Sequence, residues 1–103
     1  MAGKFALKDG RWTKGKDPAA DVFYDIDFSA YLAGAGTTLS TVLSTIVQGV
    51  TVTVPAVIDG AKVVVKLSGL DVTAGALNFC RFRLRCSNTE TFEATMWFER
   101  SED

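Results

Sequence analysis

From Leu77 to Glu99 the chain alternates apolar and polar residues so regularly that nearly every side chain is assigned to one of two faces. Period-two alternation marks a half-buried strand, so LNFCRFRLRCSNTETFEATMWFE predicts an antiparallel hairpin turning at Ser87, Asn88 and Thr89. Cys80, Phe82, Leu84 and Cys86 of its first strand face inward, as do Phe92, Ala94, Met96 and Phe98 of its second. Arg81, Arg83 and Arg85 face outward beside Glu93, Thr95, Trp97 and Glu99. Pairing Arg85 with Glu93 sets Arg81 against Trp97, a ladder of ion pairs and cation–π contacts worth up to about 1 kcal/mol each.

A second hairpin is predicted in VTVTVPAVIDGAKVVVKL, where Asp59-Gly60 separates two β-branched runs as a two-residue type I′ turn would. Pairing Ile58 with Ala61 sets Ala56, Val54 and Val52 against Val63, Val65 and Leu67, so both strands turn apolar side chains to one face. Pro55 then falls opposite Val64 at a position that bonds no partner, which places the strand before the turn at a sheet edge.

Upstream, Val22 to Phe28 reads as a strand with Val22, Tyr24, Ile26 and Phe28 on one face and Phe23, Asp25 and Asp27 on the other, stopping in SAYLAGAG. The run LSTVLSTIV is ambiguous: Leu39, Val42, Leu43 and Ile46 fit helical spacing, while its Thr, Val and Ile content favours a strand, the assignment taken here. Six or seven short strands, two hairpins and Gly-rich turns predict an all-β fold, an antiparallel immunoglobulin-like β-sandwich with little helix.

Residues 1–20 break the pattern. Lys4, Lys8, Arg11, Lys14 and Lys16 against Asp9 and Asp17 give a net +3, leaving −4 for the remainder of a chain whose total is −1. Phe5, Leu7 and Trp12 lie among these charges, and Asp17-Pro18 is a turn signal. The expected organisation is a basic N-terminal arm over 1–20, a sandwich domain over 21–100 and a short acidic tail over 101–103. A charged arm is by default a solvated tail, whereas apolar side chains on it, Trp12 above all, suit docking against a neighbouring subunit.

Composition sets limits. A chain of 103 residues has room for one core. Its near-neutral charge gives no global field toward nucleic acid or an anionic membrane. No apolar run approaches the ~18 residues of a membrane-spanning helix, and MAGKFALKDGRWTKGK lacks the apolar stretch of a signal peptide, so a cytoplasmic site of synthesis is expected. Cys80 and Cys86, six apart on one strand, stand about 20 Å from each other and cannot bridge; both read as buried thiols.

The chain has no histidine, which removes the usual general base, the commonest metal ligand and the Ser-His and Cys-His systems together. Asp25 and Asp27 share D-x-D spacing, yet a Ca²⁺ cage of six to eight oxygens needs ligands the neighbouring sequence lacks; a solvated strand face is the expectation. No GxxxxGK[ST] or GxGxxG run is present. No catalytic, metal or cofactor residue is assigned, and an enzyme is not expected. The arginine stripe beside Trp97 has the mix of cations and aromatics that single-stranded nucleic acid favours. Glu93 and Glu99 on the same face argue for an intramolecular ion-pair surface, or a contact with an acidic subunit, instead.

The segment KDPAADVFYDIDFSAYLAGAGTTL resembles the opening of a family of small bacteriophage tail proteins, the fibre-to-tail adaptors, whose pattern is D-P-x-x-x-x-x-Y-x-x-D-W-x-x-W-L and then a Gly-rich turn. Asp17, Pro18, Tyr24, Asp27 and Leu32 match, and Phe28 and Tyr31 stand where tryptophans are usual. Further on, VTVTVPAVIDG and VVVKLSGLDVTAG are similar to the family's T-V-P element and its T-V-x-L-S-G-G, with Leu70 in place of a glycine. The resemblance runs from residue 16 to residue 99. It implies an immunoglobulin-like sandwich acting without catalysis in the virion tail, made in the host cytoplasm. It also implies a homo-oligomer joining tail or connector proteins to fibres. Charge and hydropathy give no reason to expect a membrane as partner and disfavour nucleic acid, while the sequence leaves open whether the basic arm meets a protein groove or DNA. Lys4, Phe5, Leu7, Arg11 and Trp12 of the arm, Pro55 at the edge, and Arg81, Arg83, Arg85 and Trp97 on the outer face are the expected partner contacts. The alternative is a stand-alone β-sandwich binding module for carbohydrate or surface decoration.

Overall fold

The computed structural model describes residues 6–8 and 11–100, with side chains from residue 13 onward. Lys4 and Phe5, and the acidic tail over 101–103, lie outside the described residues. The strands are β1 (Ala6–Lys8), β2 (Arg11–Lys16), β3 (Asp21–Asp27), β4 (Leu39–Gln48), β5 (Thr51–Asp59), β6 (Lys62–Ser68), β7 (Asn78–Cys86) and β8 (Thr91–Arg100); one helix, α1, spans Ser29–Ala35. They form two sheets, ordered β1-β2-β8-β7-β4 and β3-β6-β5. From β3 onward this is the order of the B-E-D and C-F-G sheets of immunoglobulin sandwiches. The all-β sandwich read from the alternation is therefore the fold, and the ambiguous LSTVLSTIV run is strand β4.

The core lies between the sheets. Val63, Val65 and Leu67 of β6 and Cys80, Phe82 and Leu84 of β7 are fully buried, because alternate residues of each strand point the same way. Tyr24 of β3 meets Phe98 of β8 edge-on at 5.1 Å, joining the two layers. Each fully buried aliphatic or aromatic side chain here contributes roughly 1.5–3 kcal/mol relative to exposure.

Three local features differ from the sequence reading, each for a physical reason. The C-terminal hairpin pairs Arg83 with Glu93, Arg81 with Thr95 and Phe79 with Trp97, two residues away from the expected register. Its loop is only Ser87-Asn88-Thr89, closed by Cys86 and Glu90, because Thr89 takes a left-handed conformation at φ 72°. Asn88 fastens that loop by accepting from the Glu90 N–H at 3.1 Å. A shift of two keeps every side chain on its face and changes only its cross-strand neighbours.

The β5–β6 turn sets Gly60 and Ala61 as its two loop residues, with Asp59 opposite Lys62 and Ile58 opposite Val63. Gly60 alone has positive φ, at 62°, the pattern of a type II′ turn rather than the type I′ expected. Register shifts on either side of Val54 then restore the expected pairing of Val52 with Leu67. Pro55 sits within the shift between Val54 and Val57, where its missing N–H breaks no ladder bond. β5 is the edge of its sheet, as the proline requires.

The largest difference concerns residues 1–20. Arg11–Lys16, read as part of an arm ahead of the domain, lies in the larger sheet as β2, parallel to β8 from Trp12 opposite Met96 to Lys16 opposite Arg100. β1 pairs antiparallel with it, Leu7 opposite Trp12. β2 covers the otherwise open edge of β8, which satisfies a row of backbone donors and acceptors.

Candidate docking surfaces

The residues that carry the family pattern turn out to hold joints of the fold. Asp17 accepts from the Ala19 N–H through its carboxylate at 2.9 Å and from the Ala20 N–H through its carbonyl at 3.0 Å, with Pro18 at the second position of this turn between β2 and β3. Lys16, counted among the cations of an arm, is 2% exposed. Its Nζ donates to the Ala20 carbonyl at 2.6 Å and the Asp17 carbonyl at 3.3 Å, and lies 6.0 Å from the centre of the Tyr24 ring. Burial lowers its pKa, opposed by the charges of Asp17 and Asp21. Asp27 accepts from the Ser29 N–H at 2.8 Å, which satisfies one orphan backbone donor at the start of α1, and also from the Ser29 hydroxyl. Leu32 plugs the helix into the core, and Phe92 takes the rings of Phe28 at 5.3 Å and Tyr31 at 4.6 Å. Conformity to the pattern thus fixes the scaffold, and what a partner touches must be sought on the outer surfaces.

Asp25, expected on a solvated face, is 5% exposed and lies 3.8 Å from Lys62. On the same outer face Lys66 reaches Asp21 at 4.0 Å, and the Thr53 hydroxyl donates to Asp21 at 2.6 Å. Both lysines of the three-stranded sheet are thus paired with aspartates of the same sheet.

The five-stranded sheet is different. Arg81 donates from Nε to the Thr95 hydroxyl at 3.1 Å and stacks 4.9 Å from the centre of the Phe79 ring, which packs against Trp97 at 5.2 Å. Arg83 stands opposite Glu93 without an ion pair, and Arg85 stands opposite Thr91. The expected self-satisfied ladder is therefore replaced by one anchored arginine and two exposed ones, Arg83 and Arg85. Their neighbours on β4 are Thr41 opposite Arg85, Ser44 opposite Arg83 and Ile46 opposite Arg81. Trp97 is half-buried, with Thr13 of β2 beside it.

One surface was not singled out from the sequence. Residues 28–58, thirty-one in a row, contain no Asp, Glu, Lys or Arg, and they form α1, β4 and all of β5 but its last residue, with β4 and β5 each at one edge of its sheet. Tyr31, Leu43, Ile46, Val54 and Val57 of this run are exposed, Val57 to 56%. Edges are usually guarded by charge; here bulges in β4 and β5 and Pro55 take that role. The missing charge itself was the available signal.

An open cleft of about 550 Å³ lies between the end of α1 and the β7–β8 loop, lined in part by Thr37, Thr38, Ser87 and Asn88. The Thr38 and Ser87 hydroxyls bond each other at 2.6 Å, and no aromatic ring lines the cleft to stack on a sugar. Among the described residues no group of His, Cys, Asp and Glu is placed to hold a metal ion. Cys80 and Cys86 are both free and buried, and burial pushes the Cys80 thiol up to about 12.

A family model described as podophage GP4 fiber-tail adaptor protein gp77 matches residues 16–99. No curated protein matches the chain, and no solved structure does.

Proposed function

The chain belongs to the podophage fiber-tail adaptor family, and from that membership we propose that it is a non-enzymatic structural component of the virion tail that joins tail or connector proteins to fibres through protein–protein contacts. The match across residues 16–99 carries this reading. It is supported by surfaces of two chemistries on one rigid sandwich, as a joint between two different proteins needs: the charge-free flank of α1, β4 and β5, and the arginine-bearing face of β7. Multiple copies act together in the particle. The partner contacts comprise the N-terminal residues Lys4, Phe5, Leu7, Arg11 and Trp12, the β5 edge at Pro55, and Arg81, Arg83, Arg85 and Trp97. Arg81 and Trp97 serve by holding the sheet face in shape. Mass analysis and electron microscopy of purified virions should find the chain in several copies at the tail. Its absence from intact particles would overturn the assignment.

A further inference from the structure

Resting on that adaptor reading, we infer that the seam between β4 and β7 on the outer face of the larger sheet receives an extended acidic segment of a partner protein, with carboxylates on alternate residues. The observation is a pair of exposed arginines that the fold leaves unpaired. The side chains of Arg83 and Arg85 make no hydrogen bond or ion pair with a described residue, whereas the lysines on the opposite sheet pair with Asp21 and Asp25. Residues two apart on one strand are spaced about 6.6–6.8 Å, the spacing of alternate side chains in any extended partner. Two carboxylates at that interval therefore meet two guanidinium groups, each able to form a bidentate, charge-assisted pair.

The surroundings decide on which side the segment lies. Toward β8, Glu93 stands opposite Arg83 and repels an anion. Toward β4 there is no charge at all. Instead Thr41 and Ser44 place exposed hydroxyls beside Arg85 and Arg83, suited to the segment's backbone. Ile46, 53% exposed and opposite Arg81, is the next contact along the seam. It favours an apolar side chain two residues beyond the second carboxylate. The occupant is thus an acidic-x-acidic-x-apolar stretch held by side chains on the sheet face, not a strand added to its edge.

Nucleic acid fits less well. Its continuous line of phosphates meets Glu93 and Glu99 on the neighbouring strand, and Phe79 and Trp97 are half-buried against each other rather than open for base stacking.

The test uses the full chain and a fluorescent synthetic nonapeptide carrying aspartates at two alternate positions and leucine two residues later. A peptide of the same composition with adjacent aspartates, and a single-stranded oligonucleotide, serve as controls. Anisotropy titrations should show the alternating peptide binding more tightly than either control, weakening as salt rises. R83Q/R85Q, folded by circular dichroism, should bind it at least about tenfold less tightly. Equal affinity for the two peptides, tighter binding of the oligonucleotide, or an unaffected R83Q/R85Q would each overturn the inference. Virions produced with R83Q/R85Q separate the two readings. Wild-type chain missing from particles refutes the adaptor role, whereas R83Q/R85Q particles that keep the chain and all their fibres refute only the acidic segment.

Discussion

Replacing Gly49 with alanine should destabilise the domain by about 2–5 kcal/mol through two separable effects. Gly49 joins β4 to β5 where the chain crosses from one sheet to the other, at φ 75°. An L-residue in that left-handed region costs about 1–2 kcal/mol. A Cβ at this site would also overlap the Asn78 Oδ1 and lie 2.8 Å from its Cγ. Asn78 cannot step aside freely: it is 5% exposed, accepts from the Asp71 N–H at 2.8 Å and donates to the Asp71 carbonyl at 3.0 Å. Expelling it from this pair leaves a buried amide unsatisfied, a penalty of about 1–3 kcal/mol. The total is a large share of the ~5–15 kcal/mol that holds a domain together, and corresponds to a melting point lower by at least ~8 °C. Urea denaturation of Gly49→Ala, Asn78→Ala and the double variant separates the effects. With Asn78 shortened to alanine the overlap is gone, so Gly49→Ala should then cost only the backbone share of about 1–2 kcal/mol. An equal cost in both backgrounds would refute the close approach as the cause. A cost below about 1 kcal/mol in the wild type would refute the whole account.

Two further predictions concern the N-terminal strands and alkaline pH. Deleting residues 1–10 keeps β2 and should leave the cooperative unfolding transition in place. Deleting 1–16 removes the parallel partner of β8 and the buried Lys16, so the melting temperature should fall sharply and the bared β8 edge should promote association, measured by calorimetry and light scattering; equal behaviour of the two deletions would contradict this role for β2. Above pH 9 stability should decline. Burial raises the Cys80 thiol from 9.0 to about 12 and also raises Tyr24, so the unfolded chain ionises first and the stabilisation present below those values is lost as pH climbs through them. Lys16, lowered by burial, works in the opposite sense, since its buried charge is relieved as pH rises toward 10.5. Two groups thus act toward the decline and one against it. Urea midpoints from pH 8 to 11 should fall, less steeply in Cys80→Ala, and a flat profile would contradict the burial of the thiol.

Much of this protein is written in short-range pattern. Alternation assigned the inward residues of β3, β6, β7 and β8, and those residues are the core, because pleat geometry ties every second side chain to one face whatever it pairs with. Pro55 foretold an edge strand for the same local reason. Registers were less legible. Thr89 carries no mark that it will adopt a left-handed conformation, and that one residue moved every cross-strand partner of the arginines by two. The shift sets Arg83 rather than Arg85 opposite Glu93, and that the two stand unjoined, leaving both arginines available to a partner, is visible only in the folded structure.

The charge-free run from Phe28 to Ile58 was visible in the sequence, but only the sheet order shows that it forms one edge of each sheet on connected strands. The sequence by itself determined the all-β class, the core residues and the scaffold motif of the adaptor family, since these depend on periodicity and on turns a few residues long. Tertiary structure alone decided that Arg11–Lys16 is a strand, that Lys16 is buried, and which charges remain unpaired. Those outcomes rest on contacts between segments more than eighty residues apart, such as Trp12 beside Met96, and pairing across such a distance leaves no periodic trace in either segment.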